Sequence, residues 1–195
     1  MITTILIGSL IVNIALVLAV CSMSTSRLGV FSQTATRSYL KLLSVFRVPV
    51  SIVAYDIRKM HELNAVLGYS NSNILIARLT KIRRRKVDFI GQYGGDEFVV
   101  VSRPGVGSLI AKRIMDRAQE MSLEISQEQR DSLKQRTCGL MDGLYVSIAF
   151  TDVTRDALGT ASLLVDETER LKEQGALMTG SRATSGNVGT LCSEL

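Results

Sequence analysis

The hydrophobic pattern divides the chain into two unequal parts. Residues 1–26, MITTILIGSLIVNIALVLAVCSMSTS, contain no charged side chain, and Ile2 to Val20 is interrupted only by Thr, Gly, Ser and Asn. About 20 such residues, rising about 1.5 Å each, cross a hydrocarbon core of roughly 30 Å. The pattern predicts a transmembrane helix over residues 1–22. A cleaved secretory signal would need a basic n-region, and none precedes the run. Leu18-Ala19-Val20-Cys21 hints at a lipoprotein signal, but Val20 is bulkier than the small residue expected before a modified cysteine. A buried core helix would be shorter and less uniform. Arg27, Arg37, Lys41 and Arg47 all follow the span, so the positive-inside rule puts the remainder in the cytoplasm.

Beyond a short polar linker at 23–33, the pattern changes to that of a packed domain. Residues 34–46 have helical spacing, with Tyr39, Leu42, Leu43 and Phe46 on one face, and Pro49 ends the helix. Residues 50–57, VSIVAYDI, form a β-branched apolar run that reads as a buried strand ending on a carboxylate. Residues 70–84 read as a helix with Ile74, Leu75, Ala77, Leu79 and Ile82 inward. KVDFIGQY and DEFVVVS, joined by Gly94-Gly95, read as a hairpin. A helix over 106–121, a polar stretch over 122–143, a strand over 144–153 and a helix over 157–174 follow. The tail 176–195 is rich in Gly, Ser and Thr and carries no periodic pattern, as expected of disorder. The order β–α–β–β–α–β–α predicts an α/β fold, an α+β sandwich on a mostly antiparallel sheet. With 195 residues, the chain has room for one such domain.

Composition adds little. The net charge of +5 suits a domain beside an anionic membrane or working on anionic nucleotides. Cys21, Cys138 and Cys192 are scattered, without metal-ligand spacing, which fits a reducing compartment. Lys81-Ile-Arg-Arg-Arg-Lys86 reads as a solvated helix end rather than a nucleic-acid patch, since a helix C-terminus favours cations. No nucleic-acid partner is expected. His61, the single histidine, reads as a solvent-exposed helix position.

Candidate chemistry concentrates in Gly94-Gly95-Asp96-Glu97-Phe98. A tight turn explains the glycines but not two adjacent acids at the mouth of an apolar strand. Paired carboxylates suit Mg²⁺, which takes one or two of them plus phosphate oxygens. Glycines let a nucleotide approach the backbone. At average residue usage this string arises by chance in roughly one in ten thousand chains of this length. Asp56 ends the preceding strand; adjacent strands lie about 4.8 Å apart, so a neighbouring hairpin would bring Asp56 to Asp96 and Glu97. Such a cluster repels itself unless a cation occupies it.

These residues resemble the GGDEF family of diguanylate cyclases, over roughly residues 34–175. The resemblance implies a nucleotidyl-cyclase, palm-like domain that condenses two GTP into cyclic di-GMP with Mg²⁺ or Mn²⁺. It implies that Asp56, the Ile57 carbonyl, Asp96 and Glu97 bind metal, and that Asp56, Asp96 and Glu97 are the catalytic acids. Asn64 falls on the family's guanine-binding Asn, and Asn73 on its guanine-binding Asp. Gly94 and Gly95 border the substrate. Lys172, in Lys172-Glu-Gln-Gly175, resembles the family's phosphate-contacting Lys. Arg85-x-x-Asp88 lies where the family's inhibitory site for product lies. VSIAF at 146–150 resembles another family strand. The family works as a head-to-head homodimer, and the resemblance implies a bacterial inner-membrane protein with a cytoplasmic catalytic domain. Asn13, with Gly8, Ser9 and Ala15, offers a dimerising surface in the span.

The sequence also departs from the family. Thr36-Arg37-Ser38-Tyr39 is all that remains of the usual opening motif. Arg58 stands for the second Asp of the first motif, Met60 for its Phe and His61 for its Lys. Gln92 stands at a position often basic, and Ala176 for an Arg that contacts phosphate. Asn73 offers an amide donor where the family has acceptors only, which predicts relaxed base specificity with some use of ATP. Two readings compete with a cyclase: a silent domain that binds GTP or cyclic di-GMP as a receptor, and a membrane-tethered interaction protein using basic helices.

Overall fold

The computed structural model of the chain describes residues 29–81, 88–175 and 189–192. The predicted membrane span, 1–22, lies outside the described residues, as do Arg85 and most of the tail. Among the described residues, no helix is long and apolar enough to cross a membrane.

The chain runs α1 (Gln33–Val45), β1 (Val50–Ile57), α2 (Met60–Leu67), α3 (Tyr69–Thr80), β2 (Phe89–Gln92), β3 (Glu97–Ser102), α4 (Gly107–Ser122), α5 (Gln127–Arg136), β4 (Val146–Thr154), α6 (Ala157–Gly175) and β5 (Gly189–Cys192). The strands form one sheet in the order β2-β3-β1-β4-β5, and every pairing between them is antiparallel. This is the α/β sandwich expected.

β1 is the central strand, and all eight of its residues are buried. A strand covered on both faces is apolar throughout, and side chains still alternate between faces. Ile52 and Ala54 join one core with Leu40 of α1 and Ala161 and Leu164 of α6. Val53, Tyr55 and Ile57 join the other, with Leu63 of α2, Ile76 of α3, Ile114 of α4 and Leu133 of α5. By this alternation Asp56 belongs to the face covered by α1 and α6.

Several local expectations are corrected. The linker expected over 23–33 is part of the domain from Val30, which is buried. Phe31 accepts from Gln92 N and donates to Ile90 O, covering the β2 edge, and its ring stacks on Phe89. Ser32 caps α1 by accepting from the Ala35 amide. On α1, Leu40 and Leu43 are buried while Phe46 is exposed. On α3, Ile74 faces solvent; Ser72, Ile76 and Leu79 are inward. The tail expected to be disordered contributes Gly189–Cys192 as an edge strand on β4. The sequence puts His61 on a helix without bounding it; that helix is α2. Within the polar stretch 122–143 lies α5, which buries only Leu133, although Ser126 and Gln129 form a capping box at its start.

Candidate active site

Strand pairing builds the site. Asp56 is opposite Glu97 on β3 and opposite Ser147 on β4. Residues directly opposite share a face, so three polar side chains cross the sheet in a row beneath α6. The β2–β3 loop is tied down by Tyr93 N donating to Glu97 O (2.8 Å) and by Gln92 Nε2 donating to Gly95 O (2.7 Å). Ile57 N donates to Asp96 O at 3.4 Å, which fixes the end of β1 to the hairpin tip. Ile57 itself points into the opposite core.

The glycine pair is used differently from what a tight turn would suggest, for neither glycine has a positive φ. A Cβ on Gly94 would lie 1.9 Å from Glu97 Oε2, so the Glu97 carboxylate folds back over Gly94. A Cβ on Gly95 would meet nothing within 4 Å. One glycine makes room for the acid, and the other leaves open space on the solvent side.

Asp56 is only 1% exposed, yet its Oδ1 has no hydrogen-bond partner among the described residues. Its Oδ2 pairs with Nζ of Lys172, which reaches over from α6 and also lies 3.6 Å from Asp96 Oδ2. Burial pushes the Asp56 carboxyl up to about 7, against the pull of Lys172 and with help from Asp96 and Glu97. Glu97 is likewise raised, chiefly by burial and then by Asp96, Glu169 and Asp166, with Lys172 opposing. For Lys172, burial disfavours the ammonium, but Asp56 and Asp96 more than offset it and its pKa is raised.

The donor chemistry is of the kind a hard cation takes: a buried carboxylate with an unpartnered oxygen, opposite Glu97 in register and within electrostatic reach of Asp96. Among the described residues, however, no three acids converge as a ligand set. The ammonium of Lys172 stands between Asp56 and Asp96 instead.

Beside this cluster lies a cleft of about 480 Å³, lined among others by Arg58, His61, Asp96, Met141 and Lys172. His61 is an exposed helix position, as the sequence predicts, and it also borders the cleft. In sequence, Arg58 stands only where the resemblance expects an acid. In the fold its Nη2 donates to Leu171 O (2.9 Å) and Lys172 O (3.4 Å), 113 and 114 residues away, and its backbone N donates to Tyr145 O (2.9 Å). No local sequence signal announces such a contact.

The two asparagines fall on α2 and α3, which meet at Gly68 (φ +81). Asn64 is half-buried and its Oδ1 is buried without a partner, as is Ser72 Oγ. Asn73 is exposed. Neither asparagine lines the cleft beside Lys172. Of the expected product site, Arg85 is outside the described residues. Asp88 accepts from Ser102 Oγ at 2.5 Å and so is committed in part to holding β2 against β3.

Comparison with solved structures places this architecture. The diguanylate cyclase SiaD from Pseudomonas aeruginosa, solved with its activator SiaC, superposes at a TM-score of 0.62 with 12% identity, covering 88% of this chain and 66% of that one. The GGDEF domain of DgcB from Caulobacter crescentus, solved with c-di-GMP, gives 0.57 with 17% identity, covering 78% of this chain and 89% of that one. The described residues adopt a GGDEF-type fold. Its sequence is also 27% identical over 114 residues to the probable diguanylate cyclase DgcJ of Escherichia coli K12, covering 55% of this chain. The chain spans about a fifth of that relative's length (21%). No family model matches the chain. In this fold the GGDEF string makes the β2–β3 turn and the start of β3, and Asp56 stands beside it on the central strand.

Proposed function

We propose that the chain is a diguanylate cyclase that joins two GTP into cyclic di-GMP. The observation that carries this reading is Asp56: a carboxylate buried to 1% exposure, with an unpartnered Oδ1, set by register opposite Glu97 and beside Asp96. Leaving a buried acceptor unsatisfied is costly, and a structural role alone gives no reason for it. Mg²⁺ or Mn²⁺ bound there would neutralise a triphosphate and favour ionisation of an attacking 3′-hydroxyl. On this reading Lys172 carries positive charge to phosphate, and the open space at Gly95 supports a close approach to the backbone. The unpartnered Asn64 Oδ1 is an acceptor suited to the N–H edge of guanine.

The reading needs two copies of the domain meeting head to head, each with one nucleotide. It also carries the inner-membrane location, with the span at 1–22 as anchor and the domain cytoplasmic. A second reading has its own observation. With Lys172 between Asp56 and Asp96, the domain serves as a receptor that binds GTP or cyclic di-GMP without turnover. Incubating the full-length chain with equal GTP and ATP plus Mg²⁺, then analysing products by mass, separates the readings. A cyclase gives cyclic di-GMP, with a mixed dinucleotide from relaxed base choice at Asn73 that disappears in Asn73→Asp. Nucleotide binding without any cyclic product supports the receptor. A strict GTP product, unchanged in Asn73→Asp, refutes relaxed specificity.

A further inference from the structure

The Arg58 contact does more than fill a position. The last carbonyls of a helix have no partner within it and carry the negative end of its dipole. In this chain a guanidinium just past β1 donates to Leu171 O and Lys172 O near the C-terminal end of α6, and Lys172 O is among the last four carbonyls of that helix. A guanidinium is the right sign to hold those carbonyls, where a carboxylate would be repelled by them. The anchored turn is the one that bears Lys172. Arg58 N is itself held by Tyr145 O, so the guanidinium springs from a fixed backbone. The result is an ammonium, 30% exposed, on Asp56 Oδ2 and 3.6 Å from Asp96 Oδ2.

From this geometry we infer that Lys172, positioned by Arg58, is an internal counter-ion that holds the cation position between Asp56 and Asp96 in the nucleotide-free chain. A divalent cation then enters only with a nucleotide, whose phosphates draw Lys172 off the carboxylates. Arg58 is a positioning residue that acts through Lys172. The inference rests on reading Asp56, Asp96 and Glu97 as a cation site, and it concerns the order of binding rather than the reaction.

The test is Mn²⁺ binding to the full-length chain, read by the loss of the free-ion electron paramagnetic resonance signal, without and with a non-hydrolysable GTP analogue. Wild type should bind Mn²⁺ weakly alone and strongly with the analogue. A unit charge a few ångströms away is worth several kcal/mol near a protein surface, so Lys172→Met should tighten nucleotide-free binding by about tenfold or more. Lys172→Gln repeats the test with a polar side chain should the Met variant misfold. Arg58→Ala should tighten it less. In the Lys172→Met background, Arg58→Ala should add nothing, because its effect runs through the lysine. Unchanged or weaker nucleotide-free binding in both Lys172 variants overturns the inference while leaving the cation site standing. Additive effects of the two substitutions overturn the positioning role of Arg58. Absence of Mn²⁺ binding in every variant, with or without nucleotide, overturns the inference together with the cation site.

Discussion

Replacing Gly94 with Ala should disable the site while sparing the fold. The new Cβ would stand 1.9 Å from Glu97 Oε2, 2.7 Å from Cδ and 3.3 Å from Cβ. The first two atoms are the far end of a flexible, half-buried side chain, so the carboxylate swings aside by more than an ångström and the backbone stays put. Gly94 has no positive φ, so alanine adds no backbone strain. It narrows the unfolded ensemble, which is worth about 0.4–1 kcal/mol in favour of folding. The melting temperature should hold or rise slightly. Turnover is another matter, since an ångström of misplacement in a catalytic group costs on the order of 100-fold. Gly95→Ala is the matched control: its Cβ meets nothing within 4 Å, so it can hinder only an approaching nucleotide. Steady-state cyclic di-GMP synthesis should show a loss of kcat for Gly94→Ala and a rise in KM for Gly95→Ala. Equal effects of the two substitutions, or a Gly94→Ala protein as fast as wild type, would refute the role given to the folded-back Glu97 carboxylate.

Three more outcomes follow from the same geometry. Glu97→Gln keeps the shape of the side chain but removes its charge, so product formation should vanish with the melting temperature little changed; wild-type turnover would exclude Glu97 from the chemistry. Gly91→Ala should destabilise the domain by about 1–3 kcal/mol in denaturant unfolding, because the added Cβ would lie 1.9 Å from Oγ1 of the buried Thr36, which is pinned by its bond to Ser32 O. Tyr145→Phe removes the hydroxyl that donates to Asp142 Oδ1 at 2.9 Å and holds that carboxyl below its usual range. A depressed acid stabilises the fold above its unfolded value, 3.8, and loses that contribution as pH falls through its folded value. The variant should therefore be about 1 kcal/mol less stable at neutral pH, with the gap closing in acid; a gap independent of pH would show that Asp142 is not the partner that matters.

The sequence alone determined the elements whose stability is local and whose pattern is dense. VSIVAYDI is β-branched and apolar throughout, and it is β1 to the residue. The glycine pair between two apolar runs is the β2–β3 turn, and the long periodic run after Asp156 is α6. The acids, too, were legible, because Asp96 and Glu97 stand side by side where an apolar strand begins. Where the pattern is sparse, reading failed. The eight residues of α2 are too few for a period to declare itself, and α5 buries a single leucine, leaving only its capping box as a signal. β5 gains its hydrogen bonds from β4, not from its own composition.

Only the tertiary structure decided how the acids stand. Asp56 meets Glu97 through strand register, and its burial comes from α6 lying across the sheet. The glycines' separate duties depend on where the Glu97 side chain folds. Arg58 reads in sequence as a lost carboxylate; in the fold it is the anchor of the helix bearing Lys172, because the carbonyls it satisfies arrive from more than a hundred residues away. Hydrophobic period and turn chemistry are written within a few neighbouring residues. A charge balance among Asp56, Asp96, Arg58 and Lys172 is a property of packed distances, and it exists only once the sheet and α6 have come together.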